Sequence, residues 1–153
     1  MRKRTRRKVY PLVNPIQHAI AGAAITDTKI LDTVRTLELS ALEALRTGHA
    51  TKEDWRTLAD CLNVSETMAR DGIGPEAIGA NLAAQEALGA IQERSKKLDG
   101  RLVVTGPELQ ALRDGFEYAD LQRSSISRHR YEQAVKKTAD RIRSAAPAVK
   151  VFI

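Results

Sequence analysis

The chain has a single cysteine, Cys61, among 153 residues, so no internal disulfide can hold it together. Cys61 falls among apolar helical positions, where a cysteine usually serves as a small buried hydrophobe. This usage fits a reducing cytoplasm. Aromatic residues make up only 4%, which leaves little to stack on unpaired bases. No apolar run reaches the ~18–20 residues that span a bilayer, so no membrane segment is expected. Arg2 to Lys8 followed by Ala19 to Ile25 has the order of a signal peptide. However, Pro11, Asn14, Pro15, Gln17 and His18 interrupt the place where an apolar core would run.

The chemistry of catalysis is also missing. His18, His49 and His129 lie far apart and none stands in a ligand spacing, so no metal site is expected. Gly72-Ile73-Gly74 lacks the lysine and the preceding strand of a phosphate loop. No nucleophile, base and orienter can be grouped from the pattern. The expectation is a non-catalytic protein without a cofactor.

Helix-forming residues are abundant. Apolar residues are 42% of the chain, and alanine and leucine supply most of them. Both lose little freedom in a helix, so the composition favours helices over sheets. Residues 1–13 read as arm and linker, 14–146 as a helical domain and 147–153 as a tail. Asn14-Pro15 can open a short alanine-rich helix to about Ile25. Thr26 or Thr28 can cap the next, whose Ile30, Val34, Leu37, Ala41 and Leu45 share one face, with Gly48 just past its end.

Thr51 to Asp54 resembles a capping box. After it, Trp55, Leu58, Ala59, Cys61, Leu62 and Ala69 form a buried side. Gly72 and Gly74-Pro75 stop this helix and start another, with a stripe of Ile78, Leu82, Leu88 and Ile91, ended by Gly100. Leu102 to Val104 is at most an isolated strand. Thr105 to Glu108 is a second capping box, before Leu109, Leu112, Phe116 and Ala119. The serines at 124, 125 and 127 mark a break or kink before Tyr131, Val135, Thr138 and Ile142. Pro147 closes the helical domain, and Val149 to Ile153 is β-prone. Gly79, Gly89 and Gly115 fall inside helices and mark close helix contacts or misplaced boundaries.

The fold class is therefore all-α, a compact bundle of five or six helices with a disordered basic N-terminal arm. Pairing of two copies along an apolar stripe is compatible with a bundle this size.

Charge is unevenly placed. The net charge is +6. Arg2, Lys3, Arg4, Arg6, Arg7 and Lys8 supply six cations without an acid. Residues 9–120 hold 11 basic and 17 acidic residues, and residues 121–153 hold eight basic and two acidic. Such an arm seeks polyanions, or else serves as a solvated tail. In one unbroken last helix, Arg123, Arg130, Lys137 and Arg141 fall in a narrow sector beside the apolar stripe, as a phosphate-tracking surface needs. A break near Ser127 would remove Arg123 from it. These ten residues are the candidate nucleic-acid contacts.

Residues 57–70 also carry a helix-turn-helix pattern. In it Ala59 packs between two helices, Asn63 takes the left-handed turn, Ser65 caps a recognition helix, and Thr67 and Arg70 face the groove. Against it stand the small Ala69 with Met68 one place early, and Glu66 and Asp71, which would repel phosphate. The alternative is one continuous helix.

The basic start through Pro15, the Leu39-Ser40-Ala41-Leu42 run and the stretch from Trp55 to Pro75 resemble short proteins encoded by bacteriophages and prophages of proteobacteria. The resemblance covers about the first half of the chain and carries no functional residue across. It implies a bacterial cytoplasm during infection and a small accessory protein that acts by binding. The expected partner is nucleic acid or a nucleoprotein complex. The alternatives are a host protein, inhibited or adapted by the acidic body, and an operator bound by a repressor.

Overall fold

The computed structural model describes residues 28–145. The arm, the helix expected over Pro15–Ile25 and the β-prone tail lie outside the described residues. The described residues form five helices: α1 (Thr28–Thr47), α2 (Lys52–Arg70), α3 (Ile78–Lys96), α4 (Gly106–Ser124) and α5 (Arg128–Ser144). A 3₁₀ turn, Pro75–Ala77, leads into α3. The described residues contain no strand. Leu102 to Val104 is loop, with Leu102 buried in the core.

Local chemistry sets the boundaries. The Thr51 hydroxyl accepts the Asp54 N–H at 3.3 Å, and the Asp54 carboxylate accepts the Thr51 N–H at 2.7 Å. Thr105 and Glu108 repeat this reciprocal cap at 3.4 and 2.8 Å. Each box satisfies two N–H groups that a helix start otherwise leaves unpaired. Gly48 ends α1 with φ of 77°, where a Cβ would be strained.

Cross-helix contacts fix the topology. Trp55 Nε1 donates to Leu88 O and Asn81 Nδ2 to Leu62 O, so α2 and α3 run antiparallel. Gly115 sits against Ala84, and Arg94 pairs with Glu108, so α3 and α4 do too. The Thr67 and Thr138 hydroxyls meet at 2.8 Å and Arg141 reaches Asn63 O, so α5 is antiparallel to α2. The centre is α2, which packs on each of the other four helices. Its last turns are enclosed on every side, and Ser65, Glu66, Thr67, Met68 and Ala69 are all buried.

The main core joins Leu42, Leu45, Trp55, Leu58, Leu62, Leu88, Ile91, Leu112 and Phe116. A smaller one joins Met68, Ile73, Ile126 and Ala134 beneath the start of α5.

Several sequence expectations are corrected. Residues 57–70 are one continuous helix, so the helix-turn-helix has no turn at Asn63. The break marked by the serines is present: α4 stops at Ser124 and Ser127 caps α5 by accepting the Arg130 N–H at 3.2 Å, so no single helix carries the cationic stripe. The buried face of α1 is rotated from the expected one. Leu31, Glu38, Ala41, Leu42 and Leu45 face inward, while Ile30 and Leu37 stand 41% and 58% exposed. The cause is Glu38, drawn inside by Arg123. On α3 Leu88 and Ile91 of the expected stripe are buried, but Leu82 is exposed and Asn81 and Ala84 take the inner positions of the first turns.

Of the three internal glycines only Gly115 marks a close contact. A Cβ there would lie 2.7 Å from Ala84 Cβ and 3.1 Å from Leu62 Cδ2, whereas Gly79 and Gly89 face open space. Gly115→Ala should therefore destabilise by about 1–3 kcal/mol through overpacking. Gly79→Ala and Gly89→Ala should each stabilise by about 0.5–1 kcal/mol by lowering backbone entropy. Urea midpoints of the three variants check this; equal effects at all three sites would contradict it.

Candidate nucleic-acid interface

The candidate cations are best followed along α5. Ala134 and Thr138 form its buried face. Lys137 and Arg141 flank that face and turn toward α2. The Lys137 ammonium donates to Asp71. Arg141 donates to Asn63 O at 3.1 Å and pairs with Glu66 at 3.3 Å. Glu66 also takes Arg70 and the Gln85 amide. Burial opposes its charge, but these donors and the Arg141 charge hold its carboxyl below the usual range.

Arg123 does not join these residues. It lies on α4 and is 3% exposed, deep between α1, α2 and α4. Its two terminal nitrogens grip both Glu38 oxygens, and Nη2 also reaches Asp120 at 3.2 Å. Asp120 is shared with Arg35 at 2.7 Å. Burial works against the Arg123 charge, yet the hydrogen bonds and charges of its partners raise its pKa and keep it protonated. The Cys61 thiol, 3.8 Å from Nη1, is pushed well up by burial and by Glu38, so it is no ready nucleophile. Arg123 is a structural residue, contrary to its place in the expected stripe. The break at Ser125–Ser127 is the reason.

Arg130 alone among the four stays outward without an ion pair to another described residue. It lines a cleft of about 540 Å³ with Asp71, Ser127, His129, Gln133 and Lys137. The Asp71 carboxylate on that wall offsets Lys137, so the local surplus is small. Arg2, Lys3, Arg4, Arg6, Arg7 and Lys8 lie outside the described residues.

Folding thus redistributes the charge read from the sequence. Residues 28–145 contain eighteen basic and eighteen acidic residues. Of the six cations of α5, Lys137 and Arg141 are spent on Asp71 and Glu66 at the end of α2, and Arg128 and Arg143 pair with Glu132 and Asp140 of α5 itself, which leaves Arg130 and Lys136 as its surplus. The +6 surplus resides in the terminal segments, chiefly in the arm.

Among the described residues no group of histidines, cysteines and carboxylates is placed to hold a metal ion. No described helix is long and apolar enough to cross a membrane.

These ion pairs make stability depend on acid. Hydrogen bonds from Arg46, Arg94 and Arg35 lower the carboxyls of Glu43, Glu108 and Asp120, the last against its own burial; Glu66 is lowered too. Asp60 moves the other way, raised by burial. A depressed carboxyl stabilises the fold above its unfolded pKa and loses that contribution as pH falls through its folded value. Four such groups outweigh one opposed, so the urea midpoint should hold from pH 7 to about 5 and fall steeply below about 4. A midpoint that rises between pH 4 and 3 would contradict this.

Neither known protein families, nor curated proteins, nor solved structures match this chain, so its own residues carry the functional reading.

Proposed function

We propose that this protein is a non-catalytic accessory binding protein that contacts nucleic acid, or a nucleoprotein complex, through its basic N-terminal arm. The observation that carries this is the charge partition. The helical body balances eighteen cations with eighteen acids, while the arm holds six cations within seven residues. Arg130 is the one candidate on α5 still available to add a phosphate contact. Such contacts position a protein on a duplex without reading its sequence. The bacterial cytoplasm of phage infection, implied by the resemblance to phage and prophage proteins, is the proposed setting.

A competing reading is a protein-directed inhibitor of a host defence protein, acting as an acidic decoy. It has less to stand on, because Glu66 and Asp71 are already engaged by Arg141 and Lys137 and the helical body as a whole carries as many cations as acids. A repressor reading through residues 57–70 lacks its turn. The discriminating experiment is a salt titration of binding to a random duplex, comparing the intact chain with one whose arm cations are replaced by glutamine. Binding that weakens steeply with salt only when the arm is intact supports the proposal. Salt-independent affinity, or no binding at low salt, rejects it.

A further inference from the structure

We infer that α5 is a releasable strap, held on the end of α2 by ion pairs that also keep two of its cations from a polyanion. The helix brings little apolar surface to its seat. Its buried residues are Ala134 and Thr138, while Val135 and Ile142 stand 41% and 37% exposed. Beneath it lie Met68, Ile73 and Ile126, a cluster apart from the main core. Among the described helices it packs chiefly on α2. So small a burial ties α5 to the bundle far less than the main core ties the other helices to one another.

What holds α5 is mainly polar. Lys137 pairs with Asp71 and Arg141 with Glu66, and Arg141 also donates to Asn63 O at 3.1 Å. The Lys137 side chain is 62% exposed and that of Asp71 34%, so salt screens this pair readily. Release leaves the facing groups with partners. The Thr67 hydroxyl donates to Asn63 O and the Thr138 hydroxyl to Ala134 O, each within its own helix. Glu66 keeps Arg70 and the Gln85 amide. The Ser127 cap and the pairs Arg128–Glu132 and Arg143–Asp140 brace α5 from within. No polar group is stranded on opening, which keeps its cost low. The three residues between α4 and α5 form the hinge.

The strap deepens the proposed function and rests on it in one respect, that phosphate is what the masked cations would meet. With α5 closed, Asp71 and Glu66 compete with phosphate for Lys137 and Arg141. With α5 open, those two join Arg130 and Lys136 on a helix of six cations and two acids. The end of α2 is in this way an internal competitor for polyanions, acting on α5 and not on the arm.

Amide hydrogen exchange tests the strap without nucleic acid, so its result and that of the salt titration fail independently. In the full-length chain, protection of residues 132–144 is compared with that of Leu58 to Leu62 in the same sample. At low salt the α5 amides should be at least about tenfold less protected, because local opening costs less than global unfolding. That ratio should grow about two- to tenfold between about 20 and 500 mM sodium chloride, as screening weakens the two ion pairs. Asp71→Asn, at an exposed position, should raise it about two- to fivefold at low salt. Masking is read on heparin, a sulfated polyanion. Asp71→Asn should elute at higher salt than Glu86→Gln, which removes the same charge from an exposed site on α3. Equal protection of α5 and α2, or a ratio that neither salt nor Asp71→Asn changes, would overturn the strap. Equal elution of the two variants would overturn the masking.

Discussion

Glu38→Ala should cost the bundle about 3–5 kcal/mol, the loss expected when one partner of a buried ion pair is removed. Arg123 would be left protonated in a site where it is 3% exposed. Asp120 cannot replace Glu38, because it is half committed to Arg35 and reaches only Nη2. Against a typical domain stability of about 5–15 kcal/mol this is a large share. The double variant Glu38→Leu with Arg123→Met should recover most of the loss, because removing both charges removes the burial penalty as well. The pair is not ideally solvated by the protein, since Arg123 Nε has no hydrogen-bond partner. Urea unfolding of the two variants decides the matter. A single-variant loss below about 1 kcal/mol would show that the ion pair is not buried as described.

The double variant also asks what the pair is for. With Glu38 inside, Leu31, Leu42 and Leu45 face the core and Ile30 and Leu37 do not. By hydrophobicity alone the Ile30 face and the Leu31 face of α1 are close competitors, and one residue of rotation exchanges them. The buried charge breaks that tie. If so, the double variant should be stable yet less uniquely packed, with broadened amide signals along α1 and not elsewhere.

This ambiguity shows what the sequence could and could not disclose. Both capping boxes were legible, because the residues that satisfy each other lie three apart. The stops at Gly48 and Gly100 were legible for the same reason, since backbone strain is local. The core positions of α4 at Leu112, Phe116 and Ala119 followed from spacing and are buried. The face of α1 did not follow, because the partner that turns Glu38 inward is 85 residues away. A hint existed: Leu31, Glu38 and Leu45 are spaced by seven, so Glu38 interrupts an otherwise apolar line. The cationic stripe failed for a related reason. Helical spacing ranks residues by angle on one axis, and the axis changes at Ser125–Ser127. It also cannot say whether a lysine meets solvent or an acid of another helix, and Lys137 and Arg141 meet Asp71 and Glu66.

Those pairings sharpen what binding should look like. If all six arm cations contact phosphates, the logarithm of affinity should fall with the logarithm of salt at a slope of about −5, because each neutralised phosphate releases a condensed counterion. Between 50 and 200 mM salt that is a loss of about 10³ in affinity. Replacing the six arm cations with glutamine should abolish most of this slope. Arg130→Ala should reduce it by about 1, the value of a single phosphate contact. Lys137→Ala and Arg141→Ala should leave it unchanged while lowering the urea midpoint, because their charges are spent on Asp71 and Glu66. The pattern across these variants separates an arm from a surface. If the α5 variants changed the slope as much as the arm variant, the phosphate contacts would lie on the bundle, and the ion pairs to α2 would have to open on binding. If no variant changed it, the arm would be a solvated tail and the protein's partner would have to be sought among apolar surfaces instead.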